Sequence, residues 1–223
     1  MISSEIRNKV CVVVPIFNEA EHLDKIIPEV HKYTDLIICV DDGSTDYSSE
    51  ILKMYKYIKI ISLTTNIGKG KALYHGLSES IKLNSEITIT LDADGQHDPF
   101  FIPSFVSNHL DHDIIIGNRM NDLTNMPFQR IASNKITSWL LTKKLKTNIV
   151  DSQSGFRSFK TSILKDILPS SNGFEAETEM LIKAAKLNYR IGSVNISTIY
   201  NSNKSKIRPI RTILGFIKVY LRA

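Results

Sequence analysis

The sequence predicts an α/β protein with a mostly parallel sheet and helices on both faces, and three observations carry that prediction. Short β-branched runs alternate with amphipathic stretches through the first half of the chain, the pattern of repeated βαβ units. Polar caps, glycines or prolines open the amphipathic stretches, as helix starts require. Carboxylates gather directly after three of the β-branched runs, where an open parallel sheet presents its ligand-binding edge.

Taken in order, residues 10–16, 36–40, 58–63, 87–91 and 114–117 are the expected strands, with helices over 19–33, 46–55, 68–83 and 99–110. Asn18 and Glu19 follow the first strand, Asp41 and Asp42 the second, and Asp92, Asp94 and Gln96 the fourth. The second half loses this alternation. Residues 127–145 set Phe128, Ile131, Ile136, Trp139, Leu140 and Leu145 among Arg130, Lys135, Lys143 and Lys144, a basic amphipathic helix of the kind that lies at a membrane interface. Residues 209–221 repeat the pattern, with Ile210, Ile213, Leu214, Phe216 and Ile217 beside Arg208, Arg211 and Lys218. The expected organisation is a main α/β unit over residues 1–203 and a basic amphipathic helix over residues 204–223.

A chain of 223 residues with 42% hydrophobic and 23% charged residues can bury a sizeable core. No stretch approaches the roughly 18 apolar residues that span a bilayer, and the first residues lack the apolar core of a signal peptide. A cytoplasmic protein, peripheral on the cytoplasmic face of a membrane, is expected. Cys11 and Cys39 lie within Val/Ile-rich runs and read as small core residues of a reducing compartment. From Met180 onward there are nine Lys or Arg and no Asp or Glu, so the net charge of +5 divides into +9 there and −4 before it. A basic, apolar-rich tail on an acidic body suits an anionic surface. Carboxylate-bearing strand tips would repel the phosphates of a nucleic acid, so phospholipid is the expected partner and nucleic acid is not.

Asp92-Ala93-Asp94-Gly95-Gln96 is the sharpest motif. Two carboxylates two residues apart can face one hard cation, with Gln96 as a neutral oxygen ligand and Gly95 permitting the turn. Mg²⁺ or Mn²⁺ held there by Asp92, Asp94 and Gln96 would bridge a diphosphate and stabilise a departing nucleotide. The plainer alternative is a solvated Asp-Gly turn, and the other two carboxylate-bearing tips favour the metal. In Asp41-Asp42-Gly43-Ser44-Thr45-Asp46, Ser44 or Thr45 is placed to cap the next helix, and Asp42 to accept hydrogen bonds from a base or ribose. Asn66-Ile67-Gly68-Lys69-Gly70-Lys71 lacks the full P-loop pattern, which excludes an ATPase of that class. Its glycines either leave N–H groups for an anion or simply open a helix. Arg119 ends the fifth strand, placed for a phosphate or a surface ion pair. The histidines show no metal-ligand spacing, and the strand tips assemble no Ser/His/Asp constellation.

These motifs, with Pro15-Ile16-Phe17-Asn18-Glu19, Gly117-Asn118-Arg119 and Asp151-Ser152-Gln153-Ser154-Gly155-Phe156-Arg157, resemble in order those of family 2 glycosyltransferases of the dolichyl-phosphate mannose synthase and polyprenyl-phosphate glucosyltransferase type. The resemblance covers roughly residues 10–210 and implies a GT-A type, Rossmann-like fold with amphipathic interface helices. It implies an inverting enzyme that moves a hexose from a GDP-mannose or UDP-glucose type donor to a polyprenyl phosphate. Pro15, Phe17, Glu19, Val40, Asp42 and Ala93 would line the nucleotide pocket, with Asp92, Asp94 and Gln96 at the metal and diphosphate. Arg119 and Lys206 would meet phosphate, and Arg130 and Asn134 the acceptor phosphate; Asp94, Asp92, Arg119 and Arg130 would carry the catalysis. Membrane attachment would be peripheral or through a membrane-anchoring partner, since the C-terminal transmembrane helices of many relatives have no counterpart here. The alternative within the same fold is a soluble or glycan hydroxyl acceptor, which needs a carboxylate base; Glu175, Glu177 and Glu179 are the candidates.

Overall fold

Val and Ile lose rotamer freedom in a helix but stack well on a pleated surface. The runs that carry them form most of a seven-stranded sheet in a computed structural model, which describes residues 7–124, 126–199 and 209–222. The strands are β1 (Val10–Ile16), β2 (Leu36–Asp41), β3 (Lys59–Ser62), β4 (Ile87–Thr90), β5 (Ile114–Asn118), β6 (Arg157–Lys160) and β7 (Ile191–Asn195). The helices are α1 (Ala20–His31), α2 (Ser48–Met54), α3 (Lys69–Lys82), α4 (Ile102–Ser107), α5 (Phe128–Leu145), α6 (Leu164–Ile167), α7 (Glu175–Lys186) and α8 (Pro209–Arg222). Across the sheet the order is β3-β2-β1-β4-β6-β5-β7. β1 runs parallel to β2 and β4, β2 to β3, and β5 to β7, whereas β6 opposes both its neighbours.

Successive strand side chains point to opposite faces, so the buried residues sort into two cores. Cys11, Val13, Ile38, Val40, Ile114 and Ile116 share one with Leu73 and Leu77 of α3, Leu164 of α6 and Met180 of α7. Val12, Val14, Ile37, Cys39 and Ile115 share the other with Leu23 and Ile27 of α1 and with Ile102 and Phe105 of α4. Burial pushes both cysteine thiols up to about 12, so they stay protonated and inert, as core residues should.

Two expectations need correction. The helix expected over 99–110 is broken into α4 and two flanking 3₁₀ turns, Pro99–Phe101 and Asn108–Leu110, because Pro99 and Pro103 withhold backbone donors from the first turns. Neither Ser44 nor Thr45 caps α2, which starts after Tyr47 without a side-chain cap. α5 buries mainly polar side chains and turns several of its large apolar ones outward. Its buried side carries Asn134, Ser138 and Leu141, while Phe128, Ile136 and Trp139 are 79%, 59% and 59% exposed. That inward side is a polar zipper: Ser138 Oγ accepts from the Ser152 N–H at 2.9 Å, and Thr137 Oγ1 lies 2.9 Å from Ser152 Oγ. α8 turns Val219 and Phe216 to the core and leaves Ile213, Leu214, Ile217 and Leu221 exposed. The Lys144 ammonium of α5 donates to the Tyr220 carbonyl of α8 and lies over the Tyr220 ring.

The turn before α7 is fixed by Glu179, whose carboxylate accepts from the Ser170 N–H (2.9 Å), the Ser170 hydroxyl (2.7 Å) and the Ser171 N–H (2.8 Å), and pairs with Lys183 at 2.7 Å. Burial pushes this carboxyl up, but Lys183 and the serine donors outweigh it and hold the pKa at about 2. A carboxyl whose folded pKa is depressed stabilises above its unfolded value of about 4.3, and the contribution fades as pH falls towards the folded value. Glu179→Gln is therefore expected to cost about 2 kcal/mol at pH 7, with the gap to wild type closing between about pH 4 and pH 2. Urea unfolding at several pH values checks this; a gap independent of pH would refute it.

Candidate active site

The loops after β1 and β2 are cross-linked into one ledge. Asn18, in the left-handed region at φ 57°, donates its N–H to Ser44 Oγ (3.0 Å) and accepts the Thr45 N–H on Oδ1 (2.7 Å). The Glu19 N–H donates to Ser48 Oγ at 3.0 Å, and Asp46 takes the Ala20 and Ser48 N–H groups at 3.1 and 2.9 Å. Ser44 and Asp46 thus staple two loops together. Asp41 accepts the Ser44 N–H at 2.9 Å. Asp42 is buried and spends one oxygen on the Ile67 N–H and the other on the Gly68 N–H, both at 2.9 Å. Burial holds its carboxyl above the usual range despite those donors. Gly68 sits at φ 108°, and a Cβ there would fall 2.4 Å from the Asn172 carbonyl oxygen, so this junction admits only glycine.

Of the residues expected at the nucleotide end, Phe17 is exposed at the ledge, with Pro15 and Glu19 beside it in sequence and part-exposed. The side chains of Val40 and Ala93 are buried, which leaves only their backbones at the edge.

After β4, the Asp92 carboxylate meets a partner that sequence inspection did not supply. Lys69, the first residue of α3, places its ammonium 2.6 Å from Asp92 Oδ1 and 3.1 Å from Glu177 Oε1 of α7. Burial pulls this lysine down, but the two carboxylates outweigh it and hold it above its ordinary value. Burial likewise pushes Asp92 up, yet Lys69 foremost, with His97 and Arg119, keeps it below the usual range. Asp94 goes the other way, raised by burial and by the charge of Asp92; its Oδ1 accepts the Gln96 N–H at 3.0 Å. Gly155 lies flat against Asp92, where a Cβ would come within 2.1 Å of Oδ2.

On the far side of β4, Arg119 makes a two-point pair with buried Asp151, Nε to Oδ2 at 2.8 Å and Nη2 to Oδ1 at 2.9 Å. Asn134 of α5 donates to the same Oδ1 at 2.6 Å. Asn134, expected near the acceptor phosphate, has its amide buried, where it braces Asp151. Arg130 of α5 reaches Gln96 Oε1 at 3.2 Å, which ties this helix to the Asp92–Gln96 motif. Arg157 was also missed as a partner. Its buried guanidinium donates at 2.7 Å to the carbonyls of Ser152, Ser154 and Glu177 and rivets the 151–155 loop to α7. Lys206 lies outside the described residues, as do the side chains of Arg208 and Arg211.

The sequence matches the model of glycosyl transferase family 2 over residues 11–168. The chain belongs to that family. It is therefore a glycosyltransferase, and its sheet and flanking helices are of GT-A type. Proteins similar to it include an uncharacterised protein of Methanocaldococcus jannaschii, 34% identical over 94% of this chain and 89% of that protein. Another is the UDP-N-acetylglucosamine–dolichyl-phosphate N-acetylglucosaminyltransferase of Methanococcus voltae, 30% identical over 95% of this chain and 93% of that one. The fold is similar to that of glucosyl-3-phosphoglycerate synthase from Mycobacterium tuberculosis. In complex with UDP that enzyme gives a TM-score of 0.74 at 20% identity, covering 100% of this chain and 84% of that one. Its complex with Mn²⁺, UDP and glucosyl-3-phosphoglycerate gives 0.71, covering 96% and 79%.

Proposed function

We propose that the enzyme is inverting and transfers a sugar from a nucleoside diphosphate donor to a polyprenyl phosphate at the cytoplasmic face of a membrane. The observation that carries this reading is the hydrogen bond from Arg130 to Gln96. It sets α5, whose outer stripe of Phe128, Ile136 and Trp139 runs beside exposed Lys135 and Lys143, directly against the Asp92–Gln96 motif. A lipid-facing helix and the donor-side carboxylates thereby share one wall. The Methanococcus voltae relative uses a dolichyl phosphate and a UDP-sugar, and the Mycobacterium tuberculosis structures hold UDP. Together they favour a uridine over a guanosine donor.

In this reading the nucleoside lies against Pro15, Phe17 and Glu19 on the ledge that Asp42 braces. The residues fit a divalent cation in a limited way. Asp94 keeps one oxygen clear of the Gln96 N–H, and its raised pKa marks a site where positive charge is wanted. Asp92 is already paired with Lys69, and among the described residues no three His, Cys, Asp or Glu side chains surround a point in space. Asp94, with Asp92 and Gln96 behind it, would hold Mg²⁺ or Mn²⁺ jointly with donor phosphates and water, the usual habit of such ions. When bound, the ion supplies charge neutralisation for the departing diphosphate.

The protein's own residues do the remaining work. A phosphomonoester is already anionic near neutral pH, its second pKa being about 6, so the acceptor oxygen attacks the anomeric carbon without a dedicated base and inverts it. Arg119 is largely neutralised by Asp151, which leaves Arg130, bound among the described residues only to a neutral amide, as the cation assigned to the acceptor phosphate. The rival reading, a hydroxyl acceptor, lacks a free base among its candidates. Glu177 is held by Lys69, Glu179 by Lys183 and two serines, and Glu175 folds back on the Gly173 N–H at 3.3 Å.

The deciding experiment offers radiolabelled UDP-N-acetylglucosamine, UDP-glucose and GDP-mannose to a short polyprenyl phosphate and, separately, to 3-phosphoglycerate. Label entering the lipid alone supports the reading; label entering only the soluble acceptor overturns it. No helix among the described residues is long and apolar enough to cross a membrane, so attachment is assigned to the outer faces of α5 and α8. Apolar side chains at such a face sink into the interface while Lys and Arg stay among headgroups. Replacing Phe128, Ile136 and Trp139 together by Ser is expected to cut sedimentation with anionic vesicles at least tenfold, since each buried side chain contributes about 1.5–3 kcal/mol. Unchanged sedimentation would remove α5 from the interface.

A further inference from the structure

His97 closes the Asp92–His97 motif, yet among the described residues its ring makes no hydrogen bond. It is only 4% exposed, and its Nδ1 has no partner. His97 pairs across an antiparallel bridge with Thr198, and the Ile199 N–H donates to the Gln96 carbonyl at 3.0 Å beside it. Residues opposed in an antiparallel pair project to the same side, so the imidazole and the Thr198 hydroxyl are neighbours. Thr198 Oγ1 is likewise buried without a partner. Two adjacent buried polar groups left empty are costly, and native proteins keep them only when something fills them.

Their place in the sheet says what that something is. The ledge assigned to the nucleoside lies at β1 and β2, and the diphosphate carboxylates follow β4. The next step across the sheet, towards β6, β5 and β7, reaches His97 and Thr198, the latter just beyond β7. The His97 ring lies 5.6 Å from that of Phe156, and the neighbouring Gly155 lies against Asp92. A donor laid along this edge places its sugar at the pair. Imidazole and hydroxyl can each donate and accept, as a sugar hydroxyl does, and neither offers the fixed positive charge that a phosphate seeks.

We propose that His97 and Thr198 form the corner of the donor pocket that reads a ring hydroxyl, or the substituent in its place, and so set which sugar is accepted. This rests on the donor reading above and adds to it a specificity site. A site built to hydrogen-bond a substrate hydroxyl rejects a donor that cannot supply it, because the protein groups are then left unpaired.

The test uses the full chain with Mn²⁺. Kd for UDP and for GDP is measured by calorimetry, and kcat/KM is measured for UDP-glucose, UDP-galactose and UDP-N-acetylglucosamine, in wild type and in Thr198→Val, which removes only the hydroxyl. Thr198→Val is expected to shrink the ratio between preferred and disfavoured donors at least tenfold while Kd for the nucleotide stays within about twofold. His97→Gln, which keeps one donor and one acceptor, is expected to retain more discrimination than His97→Phe; melting temperatures identify any variant that fails to fold. Equal losses on all three donors, or unchanged ratios in Thr198→Val, would overturn the assignment and leave the pair holding a structural water. A parallel loss of nucleotide affinity would also overturn it, by placing the pair at the nucleoside. If wild type binds neither nucleotide, the donor reading itself fails, and this assignment with it.

Discussion

Asp94→Asn is expected to lower turnover about 1,000-fold, a loss of about 4 kcal/mol of transition-state stabilisation, without lowering the melting temperature. The two effects separate because the residue has two connections of different kinds. Its Oδ1 accepts the Gln96 N–H, a bond that the isosteric amide oxygen can keep. Its charge, by contrast, is a liability in the ligand-free fold, since burial and the Asp92 carboxylate both act against it. Removing that charge relieves a repulsion and, on the reading proposed above, deletes the anion that balances a cation at the donor diphosphate. Steady-state kinetics across a Mg²⁺ and Mn²⁺ titration, with thermal unfolding on the same samples, check both halves. Full metal-dependent activity in the variant would sink the metal assignment, and a fall in melting temperature would show that the carboxylate is structural.

What was legible in the sequence was whatever repeats at short range. The strands β1 to β5 announce themselves by β-branched runs, and their tips by polar residues directly after. β6 does not, because Arg157-Ser158-Phe159-Lys160 is four residues long with a cation at each end; it is a strand only because β4 and β5 both need a neighbour. β7 carries Gly192 and Ser193, which dilute the strand pattern at a sheet edge. The candidate site divides in the same way. Asp42, Asp92, Asp94 and Arg119 could be placed at strand ends by counting, but their partners could not, because Lys69, Glu177 and Asp151 arrive from distant parts of the chain. The reading of α5 as an amphipathic interface helix named its apolar residues but did not foresee how polar its inner side is. A helix whose inner side must bond the Asp151–Gln153 loop is polar within, so its apolar residues were free to face outward.

Lys69→Met should be the most damaging single change to the fold. The side chain keeps its length and most of its apolar stem, yet the ammonium between Asp92 and Glu177 is gone. Removing one partner of a buried ionic cluster strands the others, at about 3–5 kcal/mol, which for a chain of this size lowers the melting temperature by roughly 6–20 °C. If stranded charge is the cause, then removing a second charge must return part of the loss. Lys69→Met combined with Glu177→Gln is accordingly expected to recover at least about 1 kcal/mol over Lys69→Met alone, although Glu177→Gln by itself destabilises. Turnover is not expected to recover with stability, because Asp92 has still lost the ammonium that fixes it beside Asp94. Denaturant unfolding of the four members of this cycle, with activity measured on each, tests the argument. A double variant no more stable than Lys69→Met would mean that Glu177 is not held by this lysine, and the link from α3 to the turn before α7 would have to rest on the backbone bond from the Gly70 N–H to the Asn172 carbonyl.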